Sequence, residues 1–184
     1  MKLVLHYRGK LNANGKPDHK HDLRRHFHQQ LATLWKQAPL SDQPGLLGER
    51  RTGEYSLLRP LGSFIFAPLI TNEMNVVAEL SITLLRPESP GHLITQGGDI
   101  DNRLKTLFDA LTMPRHENAL PRESSPTTDE NPFFCLLEDD NLVTAVAVRT
   151  EQLLEPNVDS THVDLFINVT TNVTRQTMGN FAFS

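Results

Sequence analysis

Only one cysteine, Cys135, occurs in the 184 residues. It stands in an apolar stretch, Pro132 to Leu137, with no second thiol for a disulfide or a thiolate metal site. Free cysteine of this kind is commonly buried, and no function attaches to it. Also missing is any apolar run of about 18 residues, so no membrane-spanning helix is expected. The start, Met1 to Lys10, lacks the basic-then-apolar pattern of a secretory signal, and the expected location is cytoplasmic. In that setting the sequons at Asn168 and Asn172 carry no meaning. There is no internal repeat. A chain of this length forms about one ordinary domain, expected to span residues 1–184, and can bury roughly 70% of its unfolded surface.

A strong net charge is lacking too, since the formal total is −4. The total conceals an asymmetry. Residues 1–60 hold 11 Lys and Arg against 5 Asp and Glu, a balance of +6, while residues 61–184 hold 7 against 17, a balance of −10. A basic segment joined to an acidic one suits a protein that grips phosphates on one surface and collects cations on another; charge scattered over a solvated surface is the plainer alternative.

Alternation over Lys2 to Tyr7, with Leu3, Leu5 and Tyr7 on one side, predicts a first strand, and Asn12 to Pro17 a turn. Leu23, Phe27, Leu31, Leu34 and Trp35 recur at helical spacing and predict a helix from about Lys20 to Lys36, capped by Asp18 or Asp22. Its other face gathers Lys20, His21, Arg24, Arg25 and His28, the best candidate for a surface that tracks phosphates. The histidines at 19, 21, 26 and 28 lack the spacing of a metal site on a helix and read as surface residues near phosphates. Residues 38–62, rich in Pro and Gly, connect. Ser63–Ile70 and Met74–Arg86 predict neighbouring antiparallel strands of one sheet. A second helix is expected from Asn102 to Met113, stopped by Pro114, with Leu104, Leu107, Phe108 and Leu111 buried. Pro114 to Pro132 reads as a long loop; Phe133–Leu137, Leu142–Thr150 and His162–Val169 read as strands. The expected class is α/β (α+β), a small mixed β-sheet packed against two main helices.

Chemistry concentrates in Gly97-Gly98-Asp99-Ile100-Asp101-Asn102-Arg103-Leu104-Lys105. In extended chain, Asp99 and Asp101 point to one side, and Lys105 follows Asp101 by one helical turn. Two carboxylates 4 Å apart repel by about 1 kcal/mol in water and about 4 kcal/mol at a protein surface. A helix N-terminus offsets only about 0.3 to 1 kcal/mol per acidic group. A divalent cation offsets far more, and oxygen-only ligands point to Mg²⁺ or Mn²⁺. Glu138-Asp139-Asp140, between two strands, offers a third carboxylate. Three carboxylates with open metal positions suit phosphodiester hydrolysis, and Lys105 adds positive charge near the scissile phosphate. Each element alone also has a plain reading, as a helix cap or a solvated turn.

The run Asp99-Ile100-Asp101-Asn102-Arg103-Leu104-Lys105-Thr106-Leu107-Phe108-Asp109-Ala110-Leu111, followed by Glu138-Asp139-Asp140-Asn141-Leu142-Val143, resembles the signature of the RusA family of Holliday junction resolvases. The resemblance covers roughly a third of the chain. It implies that Asp99, Asp101 and Asp140 bind Mg²⁺ or Mn²⁺, that Lys105 is catalytically important, and that the protein is a homodimeric endonuclease nicking branched DNA in recombination and repair. Asp139 is a possible outer ligand; Lys20, Arg24, Arg25 and Arg103 are expected to grip the DNA backbone. Family members are compact and basic, so residues 114–132 read as an insertion; their proline-rich N-terminal motif is missing here. Two other readings remain: an inactive DNA-binding or interaction protein that keeps the fold, and a domain that binds Ca²⁺ only for stability.

Overall fold

The computed structural model describes residues 1–50, 55–87 and 100–183. Strand β1 (Lys2–Lys10) leads through a turn into helix α1 (Pro17–Trp35). The helix opens on Pro17 after Lys16, with no side-chain cap, rather than on Asp18 or Asp22. Proline's fixed φ and missing N–H suit the first helical position, which moves the start upstream of the expected aspartates. Two short 3-10 turns, Leu40–Asp42 and Pro44–Leu47, precede β2 (Arg59–Leu61), β3 (Phe64–Ile70) and β4 (Val76–Arg86). Helix α2 (Ile100–Leu111), β5 (Phe133–Leu137), β6 (Val143–Gln152) and β7 (His162–Val173) complete the order.

These strands form two mixed sheets where one was expected. The larger has the order β1-β7-β4-β6, with only β4 and β6 parallel; the smaller has the order β2-β3-β5, with β3 and β5 parallel. The apolar runs 63–70 and 74–86 are therefore not partners: β3 pairs with β2 and β5, and β4 with β7 and β6. Side-chain pattern explains the split. Val76, Ala78, Leu80, Ile82 and Leu84 are buried in alternation with more exposed positions along β4, which gives it one buried face. Nearly every residue of β3 and all of β5 are buried, as strands covered on both faces require.

The main core lies between the larger sheet and the helices. Leu5, Ile82, Leu165 and Ile167 meet Leu23, Phe27, Leu31 and Trp35 of α1 and Leu107 and Leu111 of α2. On one face of the smaller sheet, Phe64, Phe66, Phe133 and Cys135 pack with Leu120 in a second cluster. Residues 114–132 thus contribute to the interior. Glu130 ends a capping box with Thr127 and binds Arg25 of α1, and the Asp129 carbonyl accepts from His28. Between β4 and β6 the chain crosses over through α2. Consequently α2 starts near Leu11 and Ser160 at one end of the larger sheet and finishes beside Leu137 at the other.

Candidate functional site

Asp101 and Lys105 are exposed on the first turns of α2, four residues apart on one helix face. The Gly15 N–H donates to Thr106 Oγ1 at 2.9 Å and the Asn14 N–H to the Asn102 carbonyl at 3.4 Å, which anchors this end to the turn before α1. Asp99 lies outside the described residues. Arg103, expected on DNA, is buried instead. Its Nη1 donates to the Leu11 carbonyl at 3.0 Å and its Nη2 to that of Ser160 at 3.4 Å. A guanidinium with a long apolar stem ties loop carbonyls together, and Arg103 has that structural role.

The second acidic group divides by role. Glu138 accepts from Arg59 Nε at 2.8 Å and from the Asn72 N–H at 3.0 Å, joining β5 to the loop between β3 and β4. Asp139 accepts from the Asn141 N–H at 3.0 Å and pairs with Arg115 at 2.9 Å. That backbone hydrogen bond, helped by Arg115, holds its carboxyl below the usual carboxylate range. Asp140, the more exposed of the pair, also meets Arg115 at 2.9 Å.

Asp140 opens onto a cavity of about 260 Å³ shared with Lys20, Arg24, Asp109, Thr112 and Arg115. Its floor is the last turn of α2. Lys20 Nζ lies 2.6 Å from Asp109 Oδ2, while Arg24 donates to the carbonyls of Asp109 (2.7 Å) and Thr112 (3.2 Å). Three cations at a helix C-terminus complement its partial negative charge. Among the expected site residues, Lys20, Arg24 and Asp140 therefore converge, and Asp101 with Lys105 stands elsewhere. At 1.5 Å rise per residue, Asp101 and Thr112 are about 16 Å apart along the helix, about twice the roughly 8 Å that ligands of a bridging pair of cations can span. Asp101 and Asp140 thus stand toward opposite ends of α2. Among the described residues, no group of three or more His, Cys, Asp or Glu could hold a metal ion.

The expected phosphate-tracking face of α1 is largely interior. His21, Arg24 and His28 are buried, and Arg25 pairs with Glu130 at 2.7 Å. The helix is wedged between the larger sheet and β5, so it buries a second face that charge alone marks as polar. His21 packs against Phe64 and Phe133, and burial, reinforced by Arg25 and Arg24, lowers its pKa to about 4. His28 is not a surface residue either: Nδ1 accepts from the Phe134 N–H at 2.9 Å and Nε2 faces the Asp129 carbonyl at 3.1 Å, the pattern of a neutral ring. Burial lowers its pKa, although these hydrogen bonds act the other way. Burial also brings Arg24 down to about 10.

Two charged members of the cavity went unread in the sequence. Asp109 continues the face of Asp101 and Lys105 at the next four-residue step, a signal that was present. Arg115 follows Pro114 in an irregular segment, where spacing carries no information. No helix among the described residues is long and apolar enough to cross a membrane. Comparison with family models, curated proteins and solved structures finds no match for the chain.

Proposed function

We propose that the chain is a metal-dependent endodeoxyribonuclease that nicks branched DNA such as Holliday junctions, working as a homodimer in the cytoplasm. The observation that carries this reading is the Asp99-x-Asp101-Asn-x-x-Lys105 run opening α2, together with Asp139-Asp140 at the start of the parallel partner of β4. The exposure of Asp101, Lys105 and Asp140 supports it, because a phosphodiester must reach them. The separation of Asp101 from Asp140 shapes it: the centre draws Asp99 and Asp101 from one copy and Asp140 from another. Those carboxylates would hold Mg²⁺ or Mn²⁺, which would supply an acidified water and neutralise phosphate charge. Lys105 adds positive charge beside the same phosphate, and Lys20 with Arg115 offers cations to the flanking backbone.

Incubation of Asp101→Asn with a labelled four-way junction and Mg²⁺ tests the chemistry: nicking is lost while binding in Ca²⁺ persists. Nicking that survives overturns the reading. Mixing Asp101→Asn with Asp140→Asn tests the shared centre. Each variant alone is inactive, and the mixture regains part of the activity because a mixed dimer contains one intact centre. Two inactive variants that stay inactive when mixed, with subunit exchange verified by tagged copies, exclude a centre shared between copies.

A further inference from the structure

β6 is an edge strand: it pairs with β4 on one side, and no described strand meets its other side. Ten residues long, it lacks the proline or lysine that usually blunts such an edge. Register assigns its faces. Val146 and Val148 stand beside Leu80 and Ile82, on the side that faces the core, yet they remain 48% and 38% exposed while those leucine and isoleucine neighbours are buried. The opposite face carries Ala145, Ala147 and Arg149, beside Glu79, Ser81 and Thr83.

We propose that β6 pairs antiparallel with β6 of a second copy, centred on Ala147, so that two four-stranded sheets become one of eight. A two-fold contact must be self-complementary, and this strand is. With Ala147 opposite itself, Val146 lies opposite Val148 twice, and the four valines close over the apolar ground that each copy leaves open. Ala145 lies opposite Arg149 of the second copy. Beyond Ala145 in the same row stands exposed Glu79, about two strand spacings from Arg149 and within reach of a long side chain over the small alanine. Symmetry repeats the pairing. Shifting the centre to Val148 sets the two Arg149 side chains diagonally against each other, which disfavours that register. Thr144 donates to the Ala78 carbonyl at 3.1 Å, at the bulge between Ala78 and Glu79, and the bulge ends the paired stretch.

The centred register sets Asp140 of one copy level with Leu154 of the other, at the end of the sheet from which α2 starts, and so toward the partner's Asp101. That consequence rests on the nuclease reading; the assembly does not.

Oxidative crosslinking and sedimentation decide the matter without any activity. Directly opposed residues have Cα atoms about 4.5 to 5.5 Å apart, within disulfide range, so Ala147→Cys is expected to give a covalent dimer and Ala145→Cys is not. Buried Cys135 stays silent as an internal control. Wild type is expected to sediment as a dimer at micromolar concentration, and Val146→Lys with half that mass and an unchanged circular dichroism spectrum. A monomeric wild type, or Ala147→Cys crosslinking no better than Ala145→Cys, overturns the proposal. Loss of nicking in a dimeric protein leaves it standing.

Discussion

Arg24 donates to the carbonyls of Asp109 and Thr112, the last groups of α2, and is buried there. Hydrogen bonds to a charged donor contribute about 1.5 to 3 kcal/mol each, and losing the donor strands two carbonyls. Arg24→Met is therefore expected to lower the unfolding free energy by about 3 kcal/mol, read as a lower urea midpoint at constant slope. His21 gives a pH signature. Its pKa falls from 6.5 to about 4 on folding, so between these values the unfolded chain binds the extra proton. The stability it contributes is complete above pH 6.5 and is lost as pH falls through 4. The shift corresponds to about 3 kcal/mol. In His21→Phe that share of the acid sensitivity disappears, and urea melts at pH 7 and pH 4.5 draw closer together. An unchanged pH profile contradicts a buried neutral histidine. At this scale the sequence was legible in residue type and misleading in location: Lys20, Arg24 and Arg25 are basic as read, but only burial and partners distinguish a phosphate grip from a helix cap.

Elements were more legible than side chains. Both helices and most of the strands follow from period, because one buried stripe or alternating face suffices to mark them. Sheet membership did not, since β3 and β4 are both apolar runs and nothing local says that one is covered on both faces. The segment 114–132 also reads differently in three dimensions. Burial pushes the Glu130 carboxyl up, but Arg25 and the Thr127 N–H outweigh it and leave it below its ordinary value. Glu130→Ala therefore removes an ion pair to α1 and one half of a capping box. The expected loss is about 2 to 3 kcal/mol, with faster proteolysis within 114–132 as the specific readout.

For the whole molecule, the crossover from β4 through α2 to β6 sets the function's geometry. It carries the chain the length of the sheet, so residues that open α2 and residues that open β6 stand at opposite ends. Assembly through β6 reverses one copy against the other. A charge exchange tests the arrangement: Arg149→Glu is expected to weaken the dimer, and adding Glu79→Arg in the same chain to restore it, measured by sedimentation at low salt. Restoration that fails while Val146→Lys still dissociates the dimer points to a different register.

The sequence by itself determined the helices, the apolar strands and the acidic residues that open α2 and β6, because each depends on neighbours a few positions away. Only the tertiary structure decided that two sheets form, that Arg24 and Arg103 turn inward, and that Asp101 and Asp140 part company. The reason is distance. A helix of twelve residues separates its ends by about 16 Å whatever side chains it carries, and no pattern along the chain reports which neighbours wait at each end.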